Sequence, residues 1–301
     1  MPYPPIRPQV GTTFTPTVHH DTYSAINPVT CQGSVKKSVL VTGAGKGMGR
    51  CTVVSYAKSG ASRIAVCARK IDEAQAACDA ALEAVRQAGL TASPQMLPLE
   101  MDVCDQRSVA AAVAILESSW NGGLDILVNN AGYLAEFLPL AEGDGDDRWR
   151  TWEVNVHGWY NVTKALLPLL LMGKDKTIVN VSSVGSLALT PGASAYQASK
   201  FALNRLTEYL MVDYIDQGLL SYAVHPASVP TALATRMPSA VIDAFCNDRP
   251  ELACDCIAWL TSERREWLAG RYVSCTWDMA ELEAKREEII GGVLLKLKLT
   301  I

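Results

Sequence analysis

A doubly wound α/β sheet of parallel strands, with helices on both faces, is the fold predicted for this chain, and three observations predict it. From Val35 onward, short β-branched runs alternate with longer Ala-rich segments. The short runs are apolar at nearly every position rather than at every second one, as strands covered on both faces must be. The longer segments carry helical spacing of their apolar residues, and strand and helix patterns that alternate in this way imply crossover connections.

The elements follow in order. Residues 1–34 are rich in Pro and Thr, lack either periodicity, and read as an extended arm in which His19 and His20 are polar loop residues. Strands are expected at SVLV (38–41), RIAVCA (63–68), QMLPLEM (95–101), LDILVN (124–129), KTIVNVS (176–182), LLSYAVH (219–225) and GRYVS (270–274). Helices are expected at 48–59, 71–89, 108–120, 149–171, 195–217 and 250–263. Seven strands alternating with helices make one domain over 35–277. Residues 278–301 should form a charged amphipathic helix, DMAELEAKREEII, then a Gly-Gly break and an edge strand, LLKLKLT.

Composition narrows the function. A formal charge of −4, from 27 basic and 31 acidic residues, leaves no electrostatic footprint for nucleic acid or an anionic membrane, so small molecules are the expected partners. Nine cysteines, an odd number mostly inside apolar runs, argue for buried free thiols rather than disulfides. Cys254 and Cys256 would point apart on a helix, which disfavours a metal site. No signal-peptide pattern opens the chain and no apolar run is long enough to span a bilayer, so a cytoplasmic location is expected.

The first strand runs into VTGAGKGMGR, with Gly43, Gly45, Gly47 and Gly49 opening a helix. Missing Cβ atoms let backbone N–H groups approach a pyrophosphate, and the helix N-terminus favours its charge. This is the cradle of a Rossmann-type dinucleotide site, with Thr42, Lys46 and Met48 as neighbouring contacts. A carboxylate at the end of the second strand would bind a ribose hydroxyl and select NAD. Here Ala68 is followed by Arg69 and Lys70, so Arg69 and Lys46 can take a 2′-phosphate and NADP(H) is the expected cofactor. Asp102 and Val103 after the third strand, and Asn129, Ala131 and Gly132 after the fourth, should line the same edge of the sheet; helix capping and turn formation are the alternative roles for Asp102, Asn129 and Asn130.

SAYQASK places Tyr196 and Lys200 four apart on a helix, and Ser183 ends the fifth strand thirteen residues before the tyrosine. With TGAGKGMG, NNAG, the Asn155 of VNVHG and the Ser183 of VSSVG in order and spacing, the chain over about 35–277 resembles the classical short-chain dehydrogenase/reductase family. The resemblance implies an enzyme that interconverts a ketone and a secondary alcohol. Tyr196 would be the general acid/base; Lys200 would lower its pKa and bind the nicotinamide ribose. Ser183 would orient the substrate oxygen, and Asn155 would hold a proton-relaying water. After the sixth strand, Pro226 and Thr231 match the family's nicotinamide loop, with Val229 between them, but Ala227 replaces a glycine and unsettles the loop's expected shape.

Residues from about 229 to 248 stand where the family carries a substrate lid, and with Tyr133, Leu134, Trp149 and Trp152 they suggest an apolar or aromatic substrate. The ends of the chain are similar to those of fungal members that serve secondary metabolism. The resemblance also implies a homo-oligomer, dimer or tetramer, built on the helices around 151–171 and 195–217. Two other functions compete: a non-redox biosynthetic reaction on the same scaffold (dehydration, epimerisation or cyclisation), and an NADP-binding sensor without turnover.

Overall fold

The computed structural model describes residues 10–91 and 93–299. Seven parallel strands lie in the order β3-β2-β1-β4-β5-β6-β7: β1 Ser38–Val41, β2 Arg63–Ala68, β3 Gln95–Glu100, β4 Ile126–Asn129, β5 Thr177–Val181, β6 Leu220–His225 and β7 Arg271–Ser274. The order reverses between β1 and β4, where Val39 pairs with Ile64 on one side and Ile126 on the other. At such a switch point the two connecting loops diverge and leave a crevice at the carboxyl ends of the strands.

Helices cover both faces. Helices α1 (Gly47–Lys58) and α2 (Ile71–Gln87) pack with the later α8 (Pro250–Leu260) over Val39, Val41, Val66, Val128 and Tyr222. On the opposite face, α3 (Gln106–Ser119) and α5 (Trp159–Met172) lie with α6 (Ser194–Tyr214) over Leu40, Ala65, Leu127 and Ile178. Alternate residues of β1 therefore enter opposite cores, which is why its four residues are all buried.

The helix expected over 149–171 is not continuous. It comprises α4 (Gly145–Trp152), one π-helical turn at Glu153–Gly158, and α5. Such widened turns re-aim side chains and cluster at functional sites, and this one carries Asn155. Between β6 and α8, α7 (Ser239–Phe245) stands where the lid was expected.

Both chain ends depart from the sequence reading. The described part of the arm is largely irregular, with a short 3₁₀ turn at Ser24–Ile26 and an isolated antiparallel bridge from Val18 to Trp277, yet it is docked, with Val10, Thr15 and Ile26 buried. It grips Trp277, which is 0% exposed: the indole Nε1 donates to Gly11 O at 2.8 Å and Phe14 lies 5.0 Å from its ring. His19 and His20 are also engaged, with Asp278 at 2.9 Å and Asp248 at 2.6 Å.

At the other end the single helix expected is two, α9 (Met279–Ala284) and α10 (Arg286–Gly291), broken at Lys285. The edge strand expected at LLKLKLT is absent among the described residues. Leu295 has φ +62°, a left-handed conformation that ends any strand, and its carbonyl accepts one bond from the β7 edge, Tyr272 N–H at 2.8 Å.

Candidate active site

The glycine loop is shaped by what surrounds it. Gly43 and Gly47 have φ +62° and +57°. A Cβ on Gly43 would meet Ala131 Cα at 2.9 Å, and one on Gly49 would meet Asn130 Nδ2 and Gly43 O at 2.5 Å, so β1 and β4 approach too closely for side chains there. Gly47 faces open space, and α1 begins after Lys46 without a side-chain cap. Uncapped N–H groups beside an open backbone fit a bound pyrophosphate.

Thr42 fastens the crevice: its Oγ1 accepts from Asn130 N–H and Ala131 N–H at 3.0 Å each. Asn130 Nδ2 donates to Thr42 O at 2.8 Å and Gly43 O at 3.2 Å. The sequence had offered Asn130 only as a turn former.

Other expected cofactor residues are placed unevenly. Lys46 and Arg69 are exposed at the rim. A residue missed in the sequence stands beside them: a Cβ on Gly45 would lie 3.2 Å from Glu73 Oε2. The second strand ends without an acid, as its sequence shows, but the first turn of α2 brings Glu73 back to the loop. Asp102 Oδ1 accepts from Cys104 N–H at 2.9 Å in a turn after β3. Val103 is buried against Gly158. Asn129 ends β4, but its amide is committed inward, donating to Thr163 Oγ1 and Asn180 Oδ1 at 3.0 Å.

The four residues of the expected reactive centre converge. Tyr196 and Ser183 line one cavity of about 430 Å³, together with Met48, Pro226, Val229 and Thr231. The Ser183 side chain stands near the Tyr196 phenol and lowers its pKa; it also caps a 3₁₀ turn, its Oγ accepting from Gly185 N–H at 3.0 Å. The adjacent Ser182 faces the core, donating to Asn204 Oδ1 at 2.5 Å, so strand alternation separates the two serines.

Lys200, 4% exposed, lies behind the tyrosine: its Nζ is 5.8 Å from the centre of the ring and donates to Val181 O at 2.7 Å. A Cβ on Gly132 would stand 3.5 Å from Asn155 Oδ1 and 3.7 Å from Lys200 Nζ, which puts all three groups at one point. Asn155 makes three hydrogen bonds. Its Oδ1 accepts from Tyr133 N–H at 2.8 Å, and its Nδ2 donates to Tyr133 O at 2.9 Å and Ser199 Oγ at 3.0 Å, joining the β4 loop to α6.

Burial dominates the electrostatics. It pushes the Tyr196 phenol above its ordinary range, against a smaller lowering from the nearby Ser183 hydroxyl. It brings the Lys200 amine down to about 8. The expected lowering of the tyrosine by the lysine is not found in this structure: burial and Ser183 alone set the direction of the shift. Ala227 adopts φ +72°, so alanine takes the left-handed conformation thought to need glycine.

The described residues contain no group of His, Cys, Asp or Glu able to hold a metal. Cys254 and Cys256 are buried, the first beside Met48 O and the second beside Met279. No helix among the described residues is long and apolar enough to cross a membrane.

Comparison with known proteins adds kinship to this geometry. A family model described as short chain dehydrogenase matches residues 37–241. The short chain dehydrogenase citE of Monascus ruber is 48% identical over 294 residues, 98% of this chain and 99% of the relative. The short chain dehydrogenase andI of Emericella variicolor is 38% identical over 96% of this chain and 97% of its own. Among solved structures, a 7α-hydroxysteroid dehydrogenase complexed with NADH and 7-oxo glycochenodeoxycholic acid superposes with a TM-score of 0.70 at 21% identity, covering 85% of this chain and 97% of that one. A short chain dehydrogenase from Shigella flexneri complexed with NADP gives 0.69 at 24% identity, over 81% and 99%.

Proposed function

This chain is a member of the short-chain dehydrogenase/reductase family and hence an oxidoreductase, and from that premise we propose that it interconverts a ketone and a secondary alcohol using NADP(H). One observation carries the reading. Tyr196 and Ser183 share the wall of a largely apolar cavity, with Lys200 directly behind, at the sheet edge where the glycine loop opens α1.

In the reducing direction the developing alkoxide needs a proton at its oxygen, and the Tyr196 hydroxyl supplies it. Ser183 Oγ donates to the same oxygen and orients the carbonyl. Lys200, charged below pH of about 8, stabilises the phenolate left behind. Asn155 does not reach the substrate; it holds Tyr133 and Ser199, and so fixes the floor on which Lys200 stands.

The reduced nicotinamide cofactor, when bound, supplies the hydride. Gly43, Gly45, Gly47 and Gly49 would cradle its pyrophosphate, and Lys46 and Arg69 a 2′-phosphate, with Glu73 opposing them in part. Pro226, Val229 and Thr231 would border the nicotinamide. The apolar lining supports an apolar or aromatic small molecule as substrate.

The test is a titration of wild type and Tyr196→Phe with NADPH and NADH by tryptophan fluorescence, then turnover of a panel of aromatic and alicyclic ketones read from nicotinamide absorbance. Both proteins should bind NADPH more tightly than NADH, and Tyr196→Phe should lose about 100-fold or more in kcat. Equal turnover by the two proteins would remove Tyr196 from the mechanism; equal affinity for the two cofactors would remove the roles given to Lys46 and Arg69.

A further inference from the structure

Most polar side chains of the cavity are spent within the protein or stand where water reaches them. Ser182 donates to Asn204. Gln197 uses both ends of its amide on Thr190, Oε1 accepting from the backbone N–H at 3.0 Å and Nε2 donating to Oγ1 at 2.8 Å. Ser228 and Thr231 are half-buried at the rim.

His225 is different. It closes β6, is 5% exposed and lines the cavity, yet its side chain makes no hydrogen bond among the described residues, and its Nδ1 is buried without a partner. An unpaired buried polar group costs about 1–3 kcal/mol. That nitrogen is enclosed from the cavity as from solvent; Nε2, equally without a hydrogen bond but not enclosed, is the one a ligand in the cavity can meet.

The chemistry of the missing partner can be read from the ring. Burial brings the imidazole down to about 3, so it is neutral at physiological pH and offers no charge to an anion. A neutral imidazole presents one donor and one acceptor nitrogen, and no hydrogen bond here fixes which is which. A hydroxyl meets either tautomer, accepting from the N–H or donating to the lone pair; a carbonyl meets only one. Around it the wall is apolar, with Leu134, Phe137, Leu187, Leu233, Met237 and Phe245.

We propose that His225 is a specificity residue that receives a substrate hydroxyl remote from the reacting carbonyl, so that the substrate class is a neutral, largely apolar hydroxyketone. This rests on the cavity being the substrate site, as proposed above.

Calorimetric titration tests it without turnover. Acetophenone and its ortho-, meta- and para-hydroxy isomers are titrated into wild type, His225→Phe and His225→Gln in the presence of NADP⁺, which has no hydride to give. Wild type should bind at least one hydroxy isomer about tenfold more tightly than acetophenone, a difference of about 1.4 kcal/mol. His225→Phe should erase that preference and leave acetophenone affinity within about twofold, while His225→Gln, which keeps a donor and an acceptor, should retain part of it.

If His225→Phe does not fold, His225→Leu, smaller than the imidazole, carries the same comparison. A preference that survives loss of the ring nitrogens, or no preference in wild type, overturns the proposal. Failure of the reductase reading is seen separately, as absence of NADPH oxidation with every ketone while the binding preference persists.

Discussion

Lys200 is the residue whose environment most directly sets a measurable property. With its pKa brought down to about 8 by burial, it is charged below that pH and neutral above it, while burial holds the Tyr196 phenol protonated beyond its usual range. Reduction needs the phenol as acid and the ammonium to stabilise its conjugate base. The kcat/KM for ketone reduction should therefore fall as pH rises through about 8, with the lysine and not the tyrosine titrating; a pH profile flat across that range would show that the amine stays charged. Ala227 raises a question of stability instead. Its left-handed backbone costs roughly 1–2 kcal/mol, but glycine there would forfeit a buried methyl, about 0.8 kcal/mol, and gain unfolded-chain freedom, about 0.5–1 kcal/mol. The terms cancel, so Ala227→Gly should leave stability within about 1 kcal/mol, whereas Ala227→Val, β-branched at the same φ, should cost more than about 2 kcal/mol. Thermal unfolding of the two variants decides.

Among the elements, α7 follows a loop that one ion pair ties to the body. Arg236 donates to both oxygens of Asp147 at 2.7 and 2.8 Å, Tyr133 OH donates to the same carboxylate at 2.5 Å, and the guanidinium lies 5.0 Å above the Tyr133 ring. At 39% and 22% exposure the pair adds no more than about 1 kcal/mol to stability, but Arg236 lies between Ala234 and Met237, which line the cavity. Arg236→Ala should shift the melting temperature little and raise KM several-fold, as a lid that closes less often would; an unchanged KM would show that the latch does not govern entry. This latch was invisible in the sequence, because the two partners are 89 residues apart and each reads as an ordinary surface charge. The seven strands and the glycine loop were legible because their signals are local: apolar runs, a strand end, a cluster of small residues. The π turn at Glu153–Gly158 was not, since its spacing differs from that of an α-helix by one residue per turn. The same limit hid Glu73, which helical geometry brings back to Gly45 from the far side of the Arg69–Lys70 corner.

For the whole molecule, α5 and α6 present Tyr160, Phe201, Tyr209 and Val212 outward, with Val212 75% exposed. Exposed apolar groups on two helices of one face of the sheet are candidates for an association surface. The wild-type protein should run as a dimer or larger in size-exclusion chromatography with light scattering, and Tyr209→Glu with Val212→Glu should return it to the monomer; a monomeric wild type would leave these faces solvated. The docking of the two chain ends was likewise beyond sequence reasoning. Trp277 and its neighbours meet residues of the arm more than 250 positions away. One carboxylate within that docking has a consequence of its own. Asp248 accepts from Ser228 N–H at 2.6 Å through one oxygen and pairs with His20 through the other, so the arm and the loop after β6 share a single anchor. Free-energy coupling is reciprocal, so a molecule that steadies that loop should also tighten the arm, and protease cleavage near His20 should slow as the cavity fills.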